Sequence, residues 1–151
     1  MIIPKSILNQ LKIVSAAEAV SVVKSNDRVF FQGASMTPNL LIDALCERYL
    51  ELDNVEILEI HTHGSALYTQ LPYSKAFRLF SLFVGANVRA GVDSNVGDYI
   101  PVFLSEIHWL FRRKIIPLDV AFIQVSPPDQ HGYCSLGVSV DVTLPAIQMA
   151  K

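Results

Sequence analysis

From Arg28 onward, short apolar runs alternate with segments of helical period, and no other feature limits the fold so tightly. "RVFFQG" (28–33), "VEILEIHTHG" (55–64), "FRLFSLFVG" (77–85) and "LDVAFIQVS" (118–126) read as buried strands, with "DYIP" (98–101) a shorter one. Helical spacing appears between them. Leu41, Ala44, Leu45 and Tyr49 share a face in "TPNLLIDALCERYL", and Phe103, Ile107, Leu110 and Phe111 share one in "VFLSEIHWLFRRK". Further helices are expected at "SAAEAVSVVKSND", "VRAGV" and "DVTLPAIQMAK". Ser15 and Glu18 have capping-box spacing, and Thr37, Asn87 and Asp141 stand where caps are wanted. Strands separated by helices cannot pair as hairpins. The expected fold is therefore α/β: an open, mostly parallel sheet with helices on both faces.

Ligands of such sheets bind outside the carboxyl ends of the strands. Here those ends read Gly33-Ala34-Ser35-Met36, His61-Thr62-His63-Gly64, Gly85-Ala86-Asn87 and Ser126-Pro127-Pro128-Asp129. The last opens "SPPDQHGYCSLGVSVD" (126–141), a stretch built to hold a shape. Two prolines fix φ and restrict the residues before them, so one X-Pro bond there is a candidate for cis. Asp129 can bond backbone two residues on, His131 is placed to bond Asp129 or a nearby carbonyl, and Gly132 and Gly137 permit unusual backbone.

Composition narrows the function classes. The chain has 151 residues, 51% hydrophobic and 17% charged, enough for one domain with a real core and too apolar for disorder. That balance suggests surface meant for another domain or subunit, and a homo-oligomer is expected. A net charge of −2 gives no footprint for nucleic acid. The single basic cluster, Arg112-Arg113-Lys114, fits the C-terminal end of a helix better than a phosphate contact. Cys46 reads as a core residue and Cys134 as a loop residue, with no disulfide pattern. Without a signal-peptide pattern in "MIIPKSILNQLKIVS" or an apolar run of spanning length, no membrane is expected and the cytoplasm is the default compartment. The final helix has barely begun at Lys151, so the polypeptide is expected to continue.

"FQGASMTPNLLIDAL", "FVGANVRAGV" and "YIPVFLSEIHWLFRRKIIPLDVAFIQVSPPDQHGYCSLGVSVD" together resemble the N-terminal half of the acetyl-CoA hydrolase/transferase family, which includes the acetate, butyrate and 4-hydroxybutyrate CoA-transferases. The resemblance runs from about Ser15 to the end and is most specific from Tyr99 to Asp141; His108 departs from it, standing where proline is expected. It implies a CoA-transferase-like fold and a longer protein with two similar domains in tandem. It also implies exchange of CoA between an acyl-CoA and a short-chain carboxylic acid through a glutamyl-CoA thioester, with no permanently bound cofactor. The nucleophilic glutamate belongs to the second half, so no catalytic residue is assigned to these 151 residues.

What remains for this half is the acyl side of the site. The expected substrate-binding residues are Gly33, Ala34, Ser35, Met36, His63, Gly64, Asn87, Pro128, Asp129, His131 and Gly132. Main-chain N–H groups of the 33–36 turn, at a helix N-terminus, are expected to face the oxygen that gains charge as the thioester is attacked. Other classes fit less well. His61, His63 and His131 lack the spacing of a zinc site. Ser126 or Ser135 with His131 and Asp129 lacks the G-x-S-x-G of a serine acyl-CoA hydrolase. "GASMTP" lacks the glycines of a dinucleotide loop. An inactive fragment or interaction domain is the remaining alternative.

Overall fold

A computed structural model describes residues 12–151. The N-terminal stretch read above for a targeting segment lies largely outside them. Among the described residues five strands form one sheet: β1 Arg28–Phe31, β2 Val55–Glu59, β3 Phe77–Ser81, β4 Gly97–Tyr99 and β5 Val120–Phe122. Their order is β4-β3-β2-β1-β5, and every pairing is parallel. The helices are α1 Ala16–Ala19, α2 Asn39–Cys46, α3 Arg89–Asp93, α4 Ile107–Arg112 and α5 Thr143–Met149, joined by short 3-10 turns.

The apolar runs set this arrangement. Alternate residues of a strand face opposite sides, so a run that is apolar throughout buries both. Val29, Phe31, Ile57, Leu79 and Phe122 pack on one side with Ile42, Leu45 and Cys46 of α2 and with Val88 before α3. Phe30, Leu58 and Ile60 pack on the other with Ile107 and Phe111 of α4 and with Val142 and Ala146 beside and within α5. Fully buried rings meet edge to face on both sides, Phe30 with Phe111 at 5.8 Å and Phe31 with Tyr68 at 5.5 Å. Burying each such side chain contributes about 2–3 kcal/mol.

The strands are shorter than the apolar runs. β1, β2 and β3 stop at Phe31, Glu59 and Ser81, and the chain past them turns into the edge loops. Beyond Phe122 the ladder ends because the Gln32 side chain takes the Gln124 N–H at 2.8 Å in place of a backbone carbonyl. Ser15 does cap α1, its Oγ accepting from Glu18 N–H at 3.2 Å. The other three expected caps do not form. Pro38, Val88 and Val142 occupy the cap positions of α2, α3 and α5 with no side-chain bond. Thr37 is instead turned back, donating to Ala34 O at 2.8 Å. Pro145 is tolerated because it falls in the first turn of α5, where an N–H has no helical partner. Phe103 does not share the α4 face; it precedes the helix in extended backbone and is 75% exposed. The basic cluster does end α4, with Arg113 over the Trp109 ring at 4.8 Å. The cis X-Pro bond is Leu71–Pro72, outside the 126–128 stretch.

Candidate functional site

All five strands point the same way, so their carboxyl ends form one edge, and the four loops singled out above line it. Neighbouring loops are tied to one another. The Ala34 N–H donates to His61 O at 2.8 Å, and Ala34 and Thr62 form a parallel bridge. His63 N–H donates to Thr37 Oγ1 at 2.9 Å. Asn87 Nδ2 reaches Thr62 Oγ1 at 3.4 Å. Gly33 is required at this crossing, since a Cβ there would stand 2.7 Å from the His61 carbonyl oxygen.

Gln32 fastens the fourth loop. It is fully buried at the end of β1, beside β5, where the strand order reverses. Its Nε2 donates to Leu136 O at 3.2 Å and Ser139 O at 3.0 Å, and its Oε1 takes the Gln124 N–H. Three backbone groups of the 124–139 segment thus hang on one amide. Gly137, at φ +76, lies against the Met36 thioether, which brings the 33–36 turn to the same place.

Beneath the middle loops lies a second buried network. Glu59 is fully buried; its Oε2 accepts from Thr62 N–H at 2.7 Å and its Oε1 lies 2.6 Å from Ser81 Oγ. Burial pushes its carboxyl above the ordinary range, against the opposing pull of the Ser81 and Thr62 hydrogen bonds. Ser81 Oγ is also 2.9 Å from Phe83 O. A hydroxyl has one proton, so a protonated Glu59 donating to Ser81, which donates on to Phe83, satisfies every partner. The buried Tyr68 hydroxyl completes the set at 2.9 Å from Thr62 Oγ1, its acidity suppressed chiefly by burial. Gln32 and Glu59 were not among the expected site residues. Their signal in the sequence is a polar residue at the end of an otherwise apolar strand.

The expected site residues divide into two groups. Gly33 to Met36, His63, Gly64 and Asn87 share the central part of the edge. His61 and His63 stand with ring centroids 6.2 Å apart, and a shallow recess runs from them past Phe83 to Asn87. Pro128, Asp129, His131 and Gly132 lie on a loop closed by Ser126 N–H to Ser135 O at 3.0 Å. Pro128 is buried, and Gly132, at φ +87, and His131 are exposed. Asp129 Oδ1 accepts from the N–H groups of His131 at 2.8 Å and Tyr133 at 2.9 Å, which holds its carboxyl below the usual range. The His131 ring bonds Gln130 rather than Asp129, at 3.0 Å. Ser126 Oγ meets Pro127 O and Ser135 N–H, so these residues form no serine–histidine relay. No cluster of three metal-ligating side chains occurs among the described residues.

The 33–36 turn departs from expectation. The α2 helix starts at Asn39, not directly after the turn. Ala34 and Met36 N–H groups are bonded to His61 O and Gly33 O. Ser35 N–H has no partner among the described residues, and Ser35 is exposed. Gly33 N–H has no partner among the described residues either, but Gly33 is buried, so Ser35 offers the one exposed free main-chain donor of the turn rather than one of a row. Beside this edge, on the α4 side, lies a cleft of about 330 Å³ lined by Ile60, His61, Leu82, Tyr99, Leu104 and Ile107 among others.

Residues 9–151 match the sequence model of the acetyl-CoA hydrolase/transferase N-terminal domain. The chain belongs to the acetyl-CoA hydrolase/transferase family. It is 46% identical over 138 residues to a succinyl-CoA:acetate/propanoyl-CoA:succinate CoA transferase of Fasciola hepatica, matching 88% of this chain and 28% of that protein. It is 42% identical over 140 residues to 4-hydroxybutyrate coenzyme A transferase of Clostridium kluyveri, matching 93% of this chain and 33% of the relative. The crystal structure of a 4-hydroxybutyrate CoA-transferase from Porphyromonas gingivalis superposes with a TM-score of 0.75 at 28% identity, covering 95% of this chain and 32% of the other. The chain thus spans about a third or less of each relative, and the α/β fold is that of the family's CoA-transferases. No helix among the described residues is long and apolar enough to cross a membrane.

Proposed function

We propose that this chain is the acyl-side domain of an acyl-CoA:carboxylate CoA-transferase whose nucleophilic glutamate lies in a second domain. The observation that carries the reading is the open carboxyl edge of the sheet, with four interlocked loops beside an apolar cleft, in a member of this family. Relatives named for CoA transfer between short acids support it.

The chemistry needs no redox group and no metal. A glutamate carboxylate attacks the thioester carbonyl carbon, the C–S bond breaks, and an acyl-glutamyl anhydride and CoA thiolate result. The thiolate attacks the glutamyl carbonyl of the anhydride, freeing the first acid and leaving a glutamyl-CoA thioester. An incoming carboxylate reverses both steps. Negative charge gathers on the carbonyl oxygen in each attack, and a fixed N–H aimed at it is worth about 3 kcal/mol. Ser35 N–H is the donor this half offers, on a turn locked by Gly33, Ala34 and Thr37. The cleft holds the acyl chain, with His61 and Asp141 as the polar residues of its lining. The one buried carboxyl at this edge, Glu59, lacks access to substrate and does not act as the nucleophile.

The other half covers an apolar margin. Phe83, Tyr99, Phe103 and Leu104 are more than half exposed around the cleft, a surface suited to a docked domain. Acyl-CoA, a small carboxylic acid and that domain are the proposed partners. Incubating the full-length protein with acetyl-CoA and mapping the CoA adduct by peptide mass spectrometry tests the assignment. The adduct is expected outside residues 1–151, and the 151-residue chain alone is expected to move no CoA from acetyl-CoA to butyrate. An adduct within these residues, or turnover by them alone, overturns it.

A further inference from the structure

Glu59 is the one fully buried carboxyl among the described residues, and the transfer chemistry gives it no part. It shares a strand face with Val55 and Ile57, where the pattern of β2 calls for another apolar residue. A polar group loses its water there, and only well-made bonds offset that loss. We propose that Glu59 is a positioning residue for CoA transfer: it fixes the peptide between His61 and Thr62, and through that peptide it sets the turn that carries Ser35 N–H. The role rests on the acyl-side reading given above.

The connection is one peptide long. His61 C=O and Thr62 N–H belong to a single planar group and point opposite ways. At one end Thr62 N–H donates to Glu59 Oε2 at 2.7 Å. At the other His61 O accepts from Ala34 N–H at 2.8 Å. A rotation of the plane that breaks the first bond also swings the carbonyl away from Ala34. Gly33 packs so closely on the same carbonyl that a Cβ would stand 2.7 Å from its oxygen, so the turn follows the carbonyl. The far side of the turn hangs on the same segment, where His63 N–H donates to Thr37 Oγ1 at 2.9 Å. Ser35 thus stands between two anchors, Ala34 and Thr37, and residues 61 and 63 hold both.

What holds residues 61–63 is Thr62. Its side-chain oxygen meets the Tyr68 hydroxyl at 2.9 Å and Asn87 Nδ2 at 3.4 Å, which locates the side chain. The angle of the peptide plane is fixed by Glu59. Glu59 is referred in turn to the sheet, since Ser81, its register partner on β3, lies 2.6 Å from Oε1. The carboxyl therefore bridges a rigid strand and a loop. A Val or Ile in its place would leave Thr62 N–H unpaired in a dry interior, and the plane would turn to seek another acceptor.

An oxyanion donor needs such bracing, because its value lies in its aim. A displacement of about 1 Å can cost about a hundredfold in rate. Ground-state binding of the thioester depends on that aim far less, so a loosened turn lowers kcat and leaves KM nearly alone.

Full-length protein carrying Glu59→Gln or Glu59→Met tests the role. Gln accepts from Thr62 N–H and donates to Ser81, whereas Met fills the space and offers the N–H nothing. Transfer from acetyl-CoA to butyrate is measured with the folded fraction fixed by circular dichroism. The Met protein is expected to lose about tenfold or more in kcat, with KM for acetyl-CoA changed by less than about threefold. The Gln protein is expected to recover most of that loss. Ser81→Ala unfastens the carboxyl without touching Thr62; it is expected to show a smaller loss of the same kind and decides the matter if the Met protein does not fold. Amide exchange needs no turnover. Ala34 N–H is expected to exchange about tenfold or more faster in the Met protein than in the parent, with the β2 amides unchanged and the Gln protein like the parent. A Met or Ser81→Ala protein with the parent's kcat, a loss confined to KM, or a Gln protein as impaired as the Met protein overturns the role in transfer. Unchanged Ala34 exchange overturns the placement of the turn by Glu59. A full-length parent without transferase activity refutes the acyl-side reading and the role in transfer with it, while the Ala34 result still decides the placement.

Discussion

Replacing Glu59 with Gln changes how stability depends on pH. The Gln side chain keeps the shape, accepts from Thr62 N–H, and donates to Ser81. It loses only the ability to ionise. In the unfolded chain Glu59 ionises around its ordinary value of 4.5, whereas burial raises that value in the folded protein. Below 4.5 both states hold the proton and the contribution of the neutral carboxyl is complete. Between 4.5 and the folded value only the folded state holds it, so stability falls with rising pH by about 1.4 kcal/mol per unit. The Glu59→Gln protein has no such loss. Urea unfolding at pH 5, 6, 7 and 8 reads the difference directly. The variant should lie within about 1 kcal/mol of the parent at pH 5 and gain on it as pH rises, until the folded carboxyl ionises. Asp119 and Asp129 have lowered values, so their opposite slopes fall below 3.8, outside this window, and cancel between the two proteins. Two parallel lines from pH 5 to 8 would refute a buried neutral Glu59. A variant that loses ground at high pH would refute it more directly.

Gln32→Glu should cost about 2–3 kcal/mol by urea unfolding and expose the 126–140 segment to proteolysis, because two donated bonds become oxygen–oxygen contacts; a protease pattern like that of the parent would dismiss its role as the loop's fastening. Thiol titration of the native protein should find Cys134 alone reactive, since Cys46 is buried and its thiol is pushed up to about 12; two reactive thiols before denaturant is added would contradict that burial.

The sequence determined the layers. Runs such as "RVFF" and "VEIL" are apolar on both strand faces, so helices had to cover both, and the connections between them demanded parallel pairing. Directionality then put every strand end on one edge, which is why the four loops were legible as the candidate site. Three of the helix starts were not legible. Thr37, Asn87 and Asp141 are cap residues by type, but the space beside their helices belongs to neighbouring loops, and Thr37 bonds Ala34 and His63 instead. Local propensity of about 1 kcal/mol yields readily to such contacts. Strand order was equally hidden. That β5 joins β1 and not β4 depends on pairings between residues some 90 positions apart, such as Phe30 with Ala121, which no local pattern records. The polar anchors followed from that order. Glu59 and Gln32 look like ordinary strand-end residues until folding removes their water, after which each must find partners among the loops that meet there. The chain's own pattern thus specified which surfaces had to be buried; only the assembled sheet decided which polar groups were buried with them, because desolvation is a property of the packed whole.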